Sequence, residues 1–495
     1  MKQILVLGAG KSASVLIDYL LAEAGRRSWH IRVADLHIEA ARSKVAGSTQ
    51  ASAHGIDSAS GEQAAALIGI SDVVISLLPP HLHIEAARLC LAQGKHFLNA
   101  SYVSPEMQLL HEEARAKGLI FLCEMGLDPG IDHMSAMEMF DGIRAQGGRI
   151  TSFRSHCGGL VAPESDDNPW HYKISWNPRN IVMAGKDGAN FLEDGKPTRL
   201  EYAQLFDPSR TVYIPSAGTY SWYPNRDSMA YISKYGLEGI GTFVRTTLRH
   251  PDFSFGWKNL VDLQFTSEDQ FYETDGMTLS AFFQLHLDRN GFSDWLQKAV
   301  AASFSKTREY LDDLIRWLEV EKKGQPFTRR PFLAVDGTGQ LETTDLDKVK
   351  RDNVGQVDRQ LHEASLLLKQ LFFLGLDSPE LINKGRCSAV DVLQWAMERK
   401  LGLSSGDKDM ILMLHEVGYE LDGKAMEASS YLVVKGEDAV RTAMAKTVGL
   451  PLGIAATLLL EGKINRSGVV IPVHEDIYRP VLAELNLRGI TFYEA

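Results

Sequence analysis

The sequence predicts an α/β protein built on a doubly wound parallel sheet. Three observations carry this. Ile4-Leu5-Val6-Leu7 is an apolar run of strand length, followed at once by Gly8-Ala9-Gly10-Lys11-Ser12-Ala13. Val15, Leu16, Tyr19 and Leu20 then recur at helical spacing, and Ile31-Arg32-Val33-Ala34 ends on Asp35. Strand-length and helix-length patterns go on alternating as far as Glu124, as in crossover-connected parallel strands.

Strand, glycine turn, helix, strand and acid make a dinucleotide-binding βαβ unit. Gly8 permits the tight turn. Gly10 has no side chain, so a pyrophosphate can approach the backbone. Ala13 is small enough for close helix–strand packing. The N–H groups opening the helix, at Lys11 and Ser12, face the phosphates, where the helix dipole favours negative charge. Asp35 suits the two adenosine ribose hydroxyls and repels a 2′-phosphate, so NAD is expected, with NADP the alternative. Arg32 and Arg42 are the nearest cations in sequence and read as ordinary solvated charges.

The next elements follow in order. Ile38–Val45 reads as a helix, Ile56-Asp57 as a strand end and Gln63–Ile70 as a helix. Asp72–Leu78 is a buried strand stopped by Pro79-Pro80, and its exit, Leu77-Leu78, is placed along the cofactor. Glu85–Gln93 is helical, His96–Ala100 a strand, and Ser101-Tyr102 its exit. Pro105–Lys117 reads as one helix and Leu119–Glu124 as a strand.

The pattern changes at Met125–Met134, where two glycines, a proline and two acids precede a helix expected from Ser135. Such a loop presents side chains where a strand of a nucleotide-binding sheet exits. Arg149–His156 alternates as a strand and runs into Cys157-Gly158-Gly159-Leu160. Residues 168–178 are aromatic-rich and flanked by prolines. Thr242–Arg249 is a strand with Arg245 and Arg249 on one face. Thr278–Lys400 is helical in periodicity, interrupted by a charged stretch at 319–352 that reads as a solvated excursion. Met410–Glu416 and Ser430–Val434 read as strands; Thr442–Val448, Pro451–Leu460 and Ile477–Leu485 read as helices.

A chain of 495 residues exceeds one compact core, so two or three domains are expected. The formal net charge of −11 argues against a general nucleic-acid or anionic-membrane role. Cys90, Cys123, Cys157 and Cys387 are scattered without a CxxC pair, so no metal site is expected and a reducing cytoplasm fits. Lys2 and the apolar run after it resemble a signal peptide, but the run is short and leads into the glycine turn. No apolar stretch is read as approaching the length that spans a bilayer.

Five stretches together resemble the L-glutamate-forming saccharopine dehydrogenases, or saccharopine reductases. They are Gly-Leu-Asp-Pro-Gly-Ile-Asp-His-Met at 126–134, Cys-Gly-Gly-Leu at 157–160, Asn-Pro…Tyr-Lys…Ser-Trp at 168–176, Tyr-Pro-Asn-Arg-Asp-Ser at 223–228 and Ala-Met-Ala-Lys-Thr-Val-Gly-Leu-Pro at 443–451. The resemblance is weakest over roughly 285–400.

The resemblance implies a Rossmann domain (1–130 plus about 441–480), a substrate-binding and dimerisation domain with a mixed sheet (about 131–285 plus 405–440) and a helical domain (about 286–400). It implies interconversion of saccharopine with glutamate and 2-aminoadipate 6-semialdehyde, with a nicotinamide cofactor. Ser101, Tyr102, Asp128, Arg226, Thr246, Thr247 and Leu248 are implied substrate contacts. Leu127, Pro129 and Trp176 are implied neighbours of the nicotinamide, with Asp128 between them. NADP-using members carry an Arg just past the second strand, where this chain has Asp35-Leu36.

The residues support this chemistry independently. Saccharopine carries three carboxylates and a secondary amine, and a guanidinium binds a carboxylate bidentately, which suits Arg226. Arg245, Arg249 and Lys173 are further candidates or structural ion-pair members. Asp128, His133 and Lys173 are the nearest candidates for an acid–base group; Cys157 is a neighbour or a buried structural thiol. The expected partners are the small-molecule substrate and a second copy of the chain. The alternatives are a carboxynorspermidine-type reductase and a catalytically silent NAD-binding protein.

Overall fold

A computed structural model describes residues 1–56, 61–292, 332–335, 341–344, 363 and 365–494. The first sheet has seven strands, all parallel where they pair. In chain order these are β1 (Gln3–Leu7), β2 (His30–Asp35), β3 (Ala51–Gly55), β4 (Val73–Ser76), β5 (His96–Asn99) and β6 (Ile120–Leu122). Across the sheet they lie 3-2-1-4-5-6, and Gly468–Val470 returns to pair with β6. The order reverses beside β1, so the glycine turn sits at the topological switch point. β4 is buried at every position, as a central strand covered on both faces must be.

The second sheet has nine strands and is mixed. At its centre Arg149–Val161 pairs parallel with Thr242–Arg249 and antiparallel with Asp409–Leu421, which continues into Lys424–Lys435 as a hairpin. Asp422 and Gly423 close that hairpin with φ of 52° and 73°, the left-handed values a tight primed turn requires. Both sheets belong to one compact unit, 1–167, 171–254 and 401–495. Residues 168–170 and 255–400 form the other. Its described part holds the helices Leu279–Arg289, Ser365–Leu374 and Ala389–Lys400, plus the strand pair Phe271–Glu273 and Arg386–Ser388.

Several expectations need correction. The segments 442–448 and 451–460 are one helix, Ala443–Leu460, with Pro451 inside it. At 18 residues and mean hydropathy 1.6 it is long and apolar enough to cross a bilayer, contrary to the sequence reading, but 78% of it is buried in the protein. Its glycines explain the burial. A Cβ on Gly449 would lie 2.9 Å from Leu16 N, and one on Gly453 2.5 Å from Tyr19, so this helix packs directly onto the helix Ala13–Arg27. The single helix expected at 105–117 is two, Pro105–Gln108 and His111–Ala116, with Ser104 capping the first. The helix expected at Glu85 starts at Pro80, and the one expected at Ser135 starts at Ile131. The strand end at 56–57 stops at Gly55, and Asp57 lies outside the described residues. So does the stretch 319–352, except for the antiparallel ribbon Phe332–Val335 with Leu341–Thr344.

Candidate active site

The loops leaving the carboxyl ends of β1, β2, β4, β5 and β6 all carry residues singled out in the sequence. After β1, Gly8 has φ of +99°, and a Cβ there would meet Leu77 O at 2.9 Å. A Cβ on Gly10 would meet nothing within 4 Å, so that stretch of backbone can be approached closely. No side chain caps the helix Ala13–Arg27, and its first turn holds no acid. At the end of β2, Asp35 accepts from Ala9 N (2.7 Å) and His37 N (2.8 Å), which fixes the acid against the glycine turn. These features fit a dinucleotide: Gly8, Gly10, Lys11, Ser12 and Ala13 would hold its phosphates and Asp35 its adenosine ribose. Arg32 is bonded to Gln3 and Arg42 to Glu39, so neither turns to Asp35. Lys44 was not singled out in the sequence; its Nζ donates to Ser14 Oγ at 2.6 Å, and the Asp35 charge acts on it.

The loop after β6 is held by its own backbone. Gly130 has φ of +148°, and a Cβ there would lie 2.1 Å from Gly126 O, so only glycine fits. Asp128 stands on this loop, and Asp132 lies in the first turn of the helix Ile131–Ala145, where the dipole favours an acid. Asp132 accepts from Gly130 N at 2.6 Å. Arg245 Nη2 donates to Asp128 Oδ1 and to Asp132 Oδ2, each at 2.6 Å. Tyr102 donates to Asp128 Oδ1 at 3.0 Å. The Asp128 side chain is 13% exposed and that of Asp132 1%, so Asp128 is the member of the pair a ligand can reach.

Electrostatics separates the two acids. Burial raises the Asp128 carboxyl above its ordinary range; Arg245 opposes this and the Asp132 charge adds to it. Burial also works against Asp132, but His133, Arg245 and the Gly130 N–H outweigh it and hold it below the usual range. Burial pushes the Tyr102 and Cys157 protons to be held more tightly, with the Asp128 charge contributing to both.

Behind this pair lies a second buried network. Glu124 Oε2 accepts from Tyr231 Oη at 2.9 Å and bonds His133 Nε2 at 2.8 Å. His133 Nδ1 bonds Tyr235 Oη at 2.5 Å. The Tyr231 ring stacks on His133 (centroids 5.2 Å) and carries the Arg245 guanidinium 4.5 Å from its centroid. His133 is therefore enclosed rather than presented to a ligand. Ser101 Oγ bonds His83 Nε2 at 2.9 Å, and His83 Nδ1 bonds Ser76 Oγ at 2.8 Å.

Arg226 and Arg249 differ from Arg245. Arg226 is exposed, lies 5.1 Å from the Tyr102 ring centroid and forms no ion pair among the described residues. Arg249 is 4% exposed and sits among the rings of Tyr172, Tyr223 and Phe253, again with no carboxylate partner among the described residues. Its Nη1 donates to Leu248 O at 2.8 Å, and its Nε is buried without a hydrogen-bond partner among the described residues. A buried, unpaired guanidinium is costly unless an anion completes it. Arg249 lies two residues beyond Thr247 on the same strand face, and Thr247 is the register partner of Cys157.

Other candidates lie elsewhere. Lys173 Nζ bridges Asp167 (2.9 Å) and Asp407 (2.8 Å), so its charge is already matched. Thr246 is buried and bonded to His156 (2.7 Å), and Leu248 lies in the apolar core with Leu160 and Ile214. Strand alternation puts Thr247 on the Arg245 face, with Cys157 as its register partner. Leu77, Leu127 and Trp176 pack on the main core, and Leu78 packs on the outer face of the parallel sheet.

The sequence reading missed Glu124, Tyr231 and Tyr235 as site residues and passed over Asp132. Glu124 is an acid two residues past the parallel strand β6, a signal close to the one that marked Asp35 at the end of β2. Asp128 and Asp132, like Tyr231 and Tyr235, are four residues apart.

A glycine turn at the switch point of a doubly wound sheet, facing an acid–guanidinium cluster at the strand ends, defines a nicotinamide-dinucleotide oxidoreductase. Comparisons with known proteins narrow the class. Residues 4–122 match the family described as the saccharopine dehydrogenase NADP binding domain, and residues 126–490 the saccharopine dehydrogenase C-terminal domain. The chain belongs to the saccharopine dehydrogenase family. It is 29% identical to the saccharopine dehydrogenase [NADP(+), L-glutamate-forming] of Pyricularia oryzae, over 98% of this chain and 96% of that one. It is 30% identical to the alpha-aminoadipic semialdehyde synthase of Arabidopsis thaliana over 99% of this chain, but spans only 44% of that longer protein. The solved saccharopine dehydrogenase (L-Glu forming) of Saccharomyces cerevisiae superposes with a TM-score of 0.77 at 26% identity, covering 100% of both chains.

Proposed function

We propose that the protein interconverts saccharopine with L-glutamate and 2-aminoadipate 6-semialdehyde, a reaction of lysine metabolism. The observation that carries this reading is the pair Arg226 and Arg249. Both lack a carboxylate partner among the described residues; Arg226 lies over the ring of Tyr102, which donates to Asp128, and Arg249 shares a strand face with Arg245. A substrate with three carboxylates supplies the missing anions, whereas a polyamine product offers fewer. Arg245 already has two carboxylates, so its part is to orient Asp128.

The glycine turn and Asp35 would hold the dinucleotide, whose nicotinamide, when bound, would supply the hydride acceptor for the C–H next to the substrate nitrogen and the donor in the reverse direction. Asp128 Oδ2, which neither Arg245 nor Tyr102 engages, takes the proton from the amine, a role that suits a carboxyl that burial raises above its ordinary range. Tyr102 Oη and Arg245 Nη2 both donate to Asp128 Oδ1 and so hold the carboxylate in place. Cys157 stays a neutral thiol beside it. Ser101 accepts or donates toward the substrate while neutral His83 fixes its hydroxyl.

For the cofactor, the reading is NAD. Asp35 is fixed at the end of β2, and Arg32 and Arg42 are engaged elsewhere. NADP is the second reading, favoured by the family description, by the names of the fungal relatives and by the cation Lys44 near Asp35. The test is the ratio of turnover with NAD to turnover with NADP, in wild type and in Asp35→Ala. The NAD reading expects a ratio above one that falls on substitution; a wild-type preference for NADP overturns it without touching the reaction itself.

A further inference from the structure

We propose that His171, His250 and Asp252, with Asp166 behind His171, form a binding site for a divalent transition-metal ion of the zinc class. The cysteines gave no such signal, because this site uses histidine and carboxylate ligands that meet only in the fold. Asp166 follows the short turn Pro163–Ser165, and His171 lies in the aromatic-rich loop. His250 follows the strand Thr242–Arg249, and Asp252 lies in the first turn of the helix Pro251–Asp262.

The donor atoms are already gathered. One ligand atom from each of His171, His250 and Asp252 lies within 4.8 Å of the other two. His171 Nε2 is 3.2 Å from Asp252 Oδ2, and His250 Nδ1 is 3.9 Å from the same oxygen. Zinc bound tetrahedrally at about 2.0–2.2 Å holds neighbouring N and O donors roughly 3.3–3.5 Å apart. The first pair has that spacing. The second closes to it by a few tenths of an ångström, with His250 Nδ1 exchanging the hydrogen bond it accepts from Asp252 N (3.2 Å) for the ion.

The support around the donors is also of the right kind. Asp166 Oδ2 bonds His171 Nδ1 at 2.6 Å. A carboxylate on the far nitrogen of a liganding histidine fixes its ring and raises its basicity. The other Asp166 oxygen is buried with no hydrogen-bond partner among the described residues. Asp252 and Asp166 together raise His171 to about 9, so an entering ion takes the place of the proton that these two carboxylates now stabilise. The His171 and His250 rings lie with centroids 4.0 Å apart, so both imidazoles border the same small volume. About a third of each histidine side chain is exposed, which leaves a path for an ion. Two imidazoles and a carboxylate suit zinc, cobalt or nickel; calcium and magnesium prefer all-oxygen sites. A bound ion would tie the aromatic loop to the end of the strand that carries Arg249.

The test uses the untagged full chain, freed of metal with a chelator and dialysed. Zinc chloride is titrated calorimetrically in two buffers of different ionisation enthalpy, and cobalt chloride is followed by visible absorption. The proposal expects one ion per chain, proton release on binding, and cobalt bands of four- or five-coordinate intensity. It expects affinity to fall at least about tenfold in His250→Asn and Asp252→Asn and to be unchanged in His37→Asn, an exposed histidine outside the cluster. Equal uptake by wild type and the cluster variants overturns it. So does a cobalt spectrum no stronger than that of the hydrated ion, a result that depends on no variant folding.

Discussion

Arg245 shares one guanidinium nitrogen between Asp128 and Asp132, 2.6 Å from each. This links the strand Thr242–Arg249 of the mixed sheet to the loop leaving the last N-terminal strand of the nucleotide-binding sheet. Replacing Arg245 with Met leaves two buried carboxylates facing each other. The expected loss is about 3–5 kcal/mol of stability, read from the midpoint of urea denaturation at constant m-value. A loss below about 1 kcal/mol would show that solvent, not Arg245, balances the pair.

Asp128→Asn keeps the shape of that group and removes its base. The expected result is a fall in kcat of roughly 10²–10⁴-fold with dinucleotide affinity nearly unchanged. In wild type, the acid limb of kcat/KM for saccharopine oxidation belongs above the 3.8 of an ordinary aspartate, because burial raises this carboxyl. Activity then drops as the pH falls through that raised value. Steady-state kinetics of Asp128→Asn that retain the same limb would transfer the role to another group.

Arg226→Ala and Arg249→Met each remove a cation left without a carboxylate. Each is expected to lower kcat/KM for saccharopine about 10–100-fold, the worth of one charged hydrogen bond, while the Kd for NADH from fluorescence quenching stays the same. Arg226→Lys, which keeps the charge without the fork, falls between wild type and the alanine variant. Unchanged kinetics in both truncations would remove carboxylate recognition from this face of the sheet.

His83 is held neutral. Burial lowers it to about 4, while its two nitrogens bond Ser76 and Ser101. Its folded value lies below the unfolded 6.5, so the folded state binds fewer protons in that interval. Stability is therefore fully present above pH 6.5 and declines as the pH falls from 6.5 toward 4. His415, also lowered to about 4 by burial, acts in the same window. The expected signature is a loss on the order of 3 kcal/mol per histidine, shallower in His83→Gln, measured by chemical denaturation at several pH values. An identical slope in the variant would assign the acid sensitivity to other groups.

The nucleotide-binding half was legible because each of its signals is local. A glycine that must turn, a small residue that must pack and an acid ending β2 lie within one short span, and the structure keeps all three. The loop 126–134 was legible for the same reason: Gly130 has room for no Cβ. Most of the acid–guanidinium network was not. Arg245 meets Asp128 and Asp132 more than a hundred residues away in sequence, and only the register of the mixed sheet brings them together. Face alternation was read correctly for Arg245 and Arg249, yet their opposite fates, one paired and one not, depend on neighbours that no spacing announces. The helix Ala443–Leu460 was read as two because Pro451 looked like a boundary. Its uniform apolarity marks a buried helix packed through Gly449 and Gly453.

The central claim is tested most directly by mixing the purified full chain with saccharopine and either NAD or NADP, following absorbance of the reduced nicotinamide and assaying glutamate. The account predicts reduction with stoichiometric glutamate release, abolished or strongly slowed in Asp128→Asn. Reduction without glutamate, or none with either cofactor alongside NADH formation from a different secondary amine, would contradict it.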